Sequence, residues 1–302
     1  MATSEVGLAE PRSNHLLWRR YFELTKPKVL ALILFATLVG MLLATPGMAP
    51  LPILFFGLLG IELAAAAGAA INHVVDRRID ALMDRTRGRP LPSGDLDARH
   101  AVAFALGLAA VSMLLLVVFV NLLTALLTFA AFIGYAVIYT MYLKRATPHN
   151  IVWGGISGAM PPLLGWTAVT GEVSVEGLLL ALLVFIWTPP HFWALAIKRR
   201  DEYARADISM LPVTHGLAYT KLQILIYSLL LLWVSLMPFM IHMSGPLYLV
   251  GALGLGLGFI YQAVRLLRSE GDTLAMKTFD YSIFYLSTLF VFLLADHYLG
   301  LA

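Results

Sequence analysis

Residues 64–91 read AAAAGAAINHVVDRRIDALMDRTRGRPL, and the fold is decided by how this stretch changes character. Its first seven residues are small and apolar, a composition that lets a second membrane helix approach closely. From there Asn72, Asp76, Asp80 and Asp84 recur every four residues, and Arg85, Arg87, Arg89 and Pro90 follow. Residues four apart share one face for as long as helix persists. The pattern is that of a helix leaving a bilayer and continuing into water with a ladder of oxygen ligands along one side.

Outward from this stretch the chain has 302 residues, 60% hydrophobic and 13% charged, with a mean hydropathy of +0.81. Globular domains are about 45–50% apolar and about 25% charged, so a soluble enzyme is excluded. Apolar runs bounded by charge, Pro or Gly fall near 29–45, 51–71, 100–120, 122–143, 149–169, 176–197, 221–243, 246–266 and 279–300. A spanning helix needs about 20 apolar residues. The expected architecture is therefore an all-α polytopic membrane protein of nine transmembrane helices. Residues 1–28 form an N-terminal arm, and 29–302 form a single transmembrane domain. The chain has no cysteine, which excludes disulfides, thiolate nucleophiles and thiolate metal sites. Glu5 and Glu10 before the first apolar run argue against a signal or transit peptide.

Charge supplies the topology. All 21 Lys and Arg residues fall on one side of this partition, and the turns around Pro46, Asn121, Gly171 and Gly245 hold none. Because such residues gather in cytoplasmic loops, the N-terminus and the long charged segments 72–99 and 198–220 are expected to face the cytoplasm. The formal charge of +3 then reports orientation and contact with membrane lipid, and no nucleic acid partner is expected.

Three carboxylates on one stripe repel one another, and a hard divalent cation relieves the repulsion. Magnesium suits such a ladder, since it takes one or two protein carboxylates and completes its shell with water and phosphate oxygens. On a solvent-facing helix extension, these carboxylates are expected to be cheap to alter. Arg85 and Arg89 stand beyond them with the geometry for phosphate. A second acidic segment, KRRDEYARADISMLPV (198–213), adds Asp201 and Glu202 beside Lys198, and Lys144 with Arg145 ends the fourth span. Two acidic clusters on one side of a membrane match a two-metal grip on a diphosphate. The competing reading is a solvated face of Asp–Arg pairs with lipid-binding bases. Pro pairs in GGISGAMPPLLGW and WTPPHFW indicate that spans 5 and 6 line a cavity, where freed carbonyls are tolerated. Within the second, His191 lies between Trp187 and Trp193 and is either an iron ligand or a packing residue. Glu62, Asp280 and Asp296 also lie within or near spans, without an assigned role.

At these residues the sequence resembles the UbiA-type intramembrane prenyltransferases, and within them the protohaem IX farnesyltransferases (haem O synthases). The similarity runs over nearly the whole chain: LTKPKV (24–29), the first Asp motif with RTRGRPL (85–91), YTMYLKRATPHNIVWGGISGAMPPLLGW (139–166), WTPPHFWALAI (187–197) and DEYARADISMLPV (201–213). It implies nine helices around a central cavity and transfer of farnesyl from farnesyl diphosphate to a vinyl group of haem B. It also implies Mg2+ held by Asn72, Asp76, Asp80, Asp84, Asp201 and Glu202, with Asn72, Asp76 and Asp80 catalytic. Arg85, Arg89, Lys144, Arg145 and Lys198 would bind the diphosphate, and His191 and Trp187 the haem. The implied location is a bacterial cytoplasmic membrane, with the active site on the cytoplasmic side and a downstream haem-modifying enzyme as a partner. Asp207 and Ser209 depart from the usual second motif. Two alternatives stay open on the residues alone: a related transferase acting on an aromatic or quinone precursor, and a secondary transporter of an anionic solute. A transporter would keep its carboxylates at mid-membrane, whereas both clusters here sit at an interface.

Overall fold

The computed structural model describes residues 14–300, apart from the side chains of residues 14–16 and 145. Residues 1–13 of the expected arm lie outside this description. The rest of the arm is largely helical, as α1 (Asn14–Leu24). The long helices that follow are α2 (Pro27–Leu43), α3 (Leu51–Asp80), α4 (Ala98–Phe119), α5 (Leu122–Ile133), α6 (Asn150–Thr170) and α7 (Val175–Lys198). After the short α8 (Arg200–Arg205) come α9 (Gly216–Met240), α10 (Pro246–Arg268) and α11 (Ala275–Tyr298). The last turns of α5 widen into a π-helix, Gly134–Leu143. The described residues contain no strand.

Each expected span coincides with a helix to within a few residues, except that α3 runs on to Asp80. By length and apolarity alone seven helices can cross a membrane, and the bent pair Leu17–Leu24 and Pro27–Leu43 makes an eighth. The ninth, α6, is diluted by Gly154, Gly155, Gly158, Pro161 and Pro162. It does not need lipid to hold it, because α2 and α7 pack along it. The approach of α2 is so close that a Cβ on Gly40 would lie 2.0 Å from the Pro162 carbonyl oxygen, and one on Gly165 2.1 Å from that of Thr37. The Pro162 carbonyl thus seats α2 on α6. Gly154 and Gly155 similarly seat Tyr139 and Thr188, and only Gly158 faces open space.

α11 packs on α10, α7 and α2 and so closes the arrangement. Their shared core includes Val39, Leu183, Trp187, Tyr248, Phe259, Tyr285 and Phe290. Outward-facing Val118, Leu126, Trp233 and Val250 are exposed and present the apolar surface a bilayer requires. At the end away from the basic segments, Asp296 has a structural assignment: its buried carboxylate accepts from the backbone N–H groups of Gly245 and, at 3.1 Å, Tyr248, capping α10.

Candidate active site

The small residues Ala64 to Ala70 let α3 run inside the bundle, and its polar continuation stays there. Asn72, Asp76 and Asp80 are buried, the two aspartates being 2% exposed each. This corrects the solvent-facing ladder expected from the sequence: other segments reach in and cover it. The Asn72 amide donates to Asp76 Oδ2 at 2.8 Å. Lys144, ending the π-helix, donates to the same oxygen at 2.5 Å, and Arg89 Nη1 donates to Asp80 Oδ2 at 2.8 Å. Lys26 donates to Asn72 Oδ1.

Each cation is aimed by local backbone chemistry. Lys26 precedes Pro27, the first residue of α2, and adopts a left-handed conformation (φ 55°, ψ 61°) where α1 and α2 meet at 51°. A long side chain held at positive φ is uncommon, and such strain concentrates at functional sites. The π-helix is also an uncommon element associated with such sites. Within it, Thr140 Oγ1 donates to the Tyr135 carbonyl five residues back at 2.8 Å and accepts from Asn72 Nδ2 at 3.3 Å. Asn150, buried at the start of α6, donates to the Lys144 carbonyl at 3.0 Å and fixes the turn from which the lysine projects. Thr86 Oγ1 donates to the Asp80 carbonyl at 2.8 Å, folding the chain back so that Arg89 meets Asp80.

That reversal takes Asp84 off the ladder. Helix ends at Asp80, and the Asp84 side chain is 71% exposed between Arg87 and Arg205. Asp201 is exposed and Glu202 half-buried on α8. This second acidic segment docks beneath α3, where Ala206, Ile208 and Met210 pack with Ile79 and Met83. Arg205 spans the two acidic segments, 3.5 Å from Asp84, and exposed Arg85 lies within electrostatic reach of Glu202, Tyr203 and Arg199. Lys198 instead pairs with Asp272 at 2.9 Å, holding that carboxyl below the usual carboxylate range. The side chain of Arg145 lies outside the described residues.

His191 and Trp187 sit apart from this cluster, knitting α7 to α11. Trp187 Nε1 donates to the Ser282 carbonyl at 2.7 Å, and His191 Nδ1 is 2.6 Å from Ser282 Oγ. The imidazole is stacked between Trp187 and Phe279, at centroid distances of 4.2 and 4.5 Å.

The donor set fits magnesium. Hard oxygens of Asn72, Asp76 and Asp80 share one face, and Asp76 Oδ1 is buried without a partner among the described residues. Among the described residues no three His, Asp or Glu side chains converge on one point, so an ion here would complete its shell with water and phosphate oxygens. Lys144 and Arg89 pair with the two aspartates and Lys26 with Asn72. Together they make a buried cluster of mixed charge at the basic end of the bundle. Lys26, Thr140 and Asn150 were not among the residues singled out from sequence. For Lys26 the available signal was its place immediately before a helix-starting proline.

A family model described as the UbiA prenyltransferase family matches residues 33–289. A protoheme IX farnesyltransferase of Thioalkalivibrio sulfidiphilus is 64% identical over 298 residues, 99% of this chain and 98% of its own. A protein of the same name from Nitrosococcus oceani is 58% identical over 93% of this chain and 94% of its own. Among solved structures, a UbiA homologue from Archaeoglobus fulgidus bound to DMAPP and Mg2+ superposes with a TM-score of 0.63 at 18% identity, covering 91% of this chain and 99% of its own. A digeranylgeranylglyceryl phosphate synthase structure reaches 0.79 at 18% identity, over 93% and 98%.

Proposed function

The chain belongs to the UbiA prenyltransferase family, and within it we propose that it transfers the farnesyl group of farnesyl diphosphate to a vinyl carbon of haem B, producing haem O. The reaction runs at the cytoplasmic face of a bacterial cytoplasmic membrane, which is where the basic end of the bundle belongs. What carries the assignment is the alternation of Lys26, Lys144 and Arg89 with Asn72, Asp76 and Asp80 in one buried cluster. Carboxylates alone would suit a metal and cations alone an anion; the two interleaved suit a metal diphosphate.

Mg2+, when bound by Asn72, Asp76 and Asp80, supplies Lewis-acid stabilisation of the leaving diphosphate. Lys144 places an ammonium group beside those ligands and Arg89 a planar fork, with Lys26 on Asn72, so charge that develops on the diphosphate meets positive charge already in place. The allylic C–O bond breaks with its electron pair on the diphosphate oxygen. The buried cluster excludes bulk water, so the farnesyl cation survives to meet the haem vinyl group. A C–C bond forms, and addition of water with loss of a proton completes the hydroxyethylfarnesyl substituent.

His191 is suited to the acceptor. Its Nδ1 is committed to Ser282 and its ring is clamped by Trp187 and Phe279, the outer-sphere anchoring that metal-binding imidazoles use, leaving Nε2 for the haem iron. Asp201, Glu202 and Arg85 act at the mouth of the socket, and Asp84 stands outside it in solvent. In cells that lack haem O, expression of this chain should cause haem O to accumulate in extracted haems; unchanged haem B as the sole haem would sink the assignment.

A further inference from the structure

His73 follows Asn72 on α3. At about 100° per residue, Asn72, Asp76, Asp80 and His73 fall at about 0°, 40°, 80° and 100° around the helix. The imidazole therefore belongs to the face that carries the ladder. It is 2% exposed, and neither ring nitrogen has a hydrogen-bond partner among the described residues. By comparison, the buried imidazole of His191 is held by Ser282. A buried imidazole without partners forfeits its hydrogen bonds to water and recovers nothing, whereas leucine at the same position would carry no such cost. Lys26 and Arg89 lie within electrostatic reach of the ring, in the cluster of alternating cations and carboxylates that suits a metal diphosphate.

Granting the farnesyl transfer proposed above, we propose that His73 donates a ring N–H to the departing diphosphate and is a catalytic residue of the ionisation step. No proton is transferred. The C–O electron pair passes to the diphosphate oxygen, the N–H proton stays on nitrogen, and the hydrogen bond strengthens as negative charge builds on its acceptor.

The test is calorimetric binding of inorganic pyrophosphate, with magnesium present, to purified full-length protein. His73→Leu should weaken pyrophosphate about tenfold or more, while unfolding at a temperature no lower than the parent, because it removes two unsatisfied buried atoms. His73→Asn retains an N–H donor and should bind within about threefold of the parent, and His73→Gln supplies the same comparison where Asn folds poorly. Binding of Mn2+ alone, read by electron paramagnetic resonance, should not change in any of them. Parental pyrophosphate affinity in His73→Leu would overturn the assignment, as would equal losses in the Leu and amide variants. Failure of the parent to farnesylate haem, with the His73 dependence of pyrophosphate binding intact, would instead remove only the acceptor.

Discussion

Replacing Asp76 by Asn leaves the shape of the site almost unchanged and removes one negative charge from its centre. Asp76 is the shared acceptor for Asn72 and Lys144, and the Lys144 side chain is only 14% exposed. Orphaning one member of a buried ion pair costs about 3–5 kcal/mol; the low end, about 3 kcal/mol, applies here because Lys144 keeps some access to water. The bond from Asn72 survives as a neutral one, at a further cost of about 1 kcal/mol. Asp76→Asn should thus lower unfolding free energy by about 3–4 kcal/mol, measured by denaturant titration in mixed micelles, and lower turnover per folded molecule at least about 100-fold. Stability and chemistry separate in the double variant Asp76→Asn, Lys144→Met, which removes the orphaned ammonium. It should recover to within about 1 kcal/mol of the parent, a gain of about 2–3 kcal/mol over the single variant, and remain inactive. A gain below about 0.5 kcal/mol would show that Lys144 is not held in a buried pair. Appreciable turnover in the single variant would refute the ladder as the reacting centre.

Gly40→Ala and Gly165→Ala each drive a methyl into backbone 2.0–2.1 Å away, which cannot rotate aside; each should cost about 1–3 kcal/mol or more, while Gly107→Ala, with nothing within 4 Å, serves as the neutral control in the same unfolding assay. Asp84→Ala should keep activity within about threefold, because its side chain is solvated, whereas Asp80→Asn should abolish turnover; equal losses would restore Asp84 to the ladder. Asp272 has a carboxyl held low by Lys198, so its stabilisation is present above the ordinary carboxylate pKa near about 3.9 and is lost as pH falls through the lower folded value. Being exposed, the pair is worth below about 0.5 kcal/mol; parent and Asp272→Asn should differ slightly at pH 7 and converge in acid.

The helices are legible because each apolar run is bounded by charge, Pro or Gly, and all 21 Lys and Arg residues fall on one side of the partition. The end of α3 was not, since nothing local in NHVVDRRID marks where bilayer stops and helix continues. The first three ladder residues were legible from their four-residue spacing. Their burial was not, because it is conferred by Lys26, Lys144 and Arg89, which lie 46, 68 and 9 residues from their partners. Asp84 fits the same spacing, but Thr86 turns the chain before the helix can carry it. The π-helix has no sequence period of its own. The seat that the Pro162 carbonyl gives α2 is not legible in sequence, because Gly40 lies far from it along the chain. His191 stands out in sequence between Trp187 and Trp193, while its bond to Ser282, 91 residues away, lies beyond the reach of any local pattern.

Farnesyl transfer to a porphyrin by the buried socket is tested most directly by mass spectrometry of a defined reaction. Purified protein, farnesyl diphosphate, Mg2+ and haem B should yield a haem heavier by one farnesyl and one hydroxyl group, dependent on Asp76, with 4-hydroxybenzoate left unmodified in a parallel reaction. Unaltered haem B alongside prenylated 4-hydroxybenzoate would contradict the account.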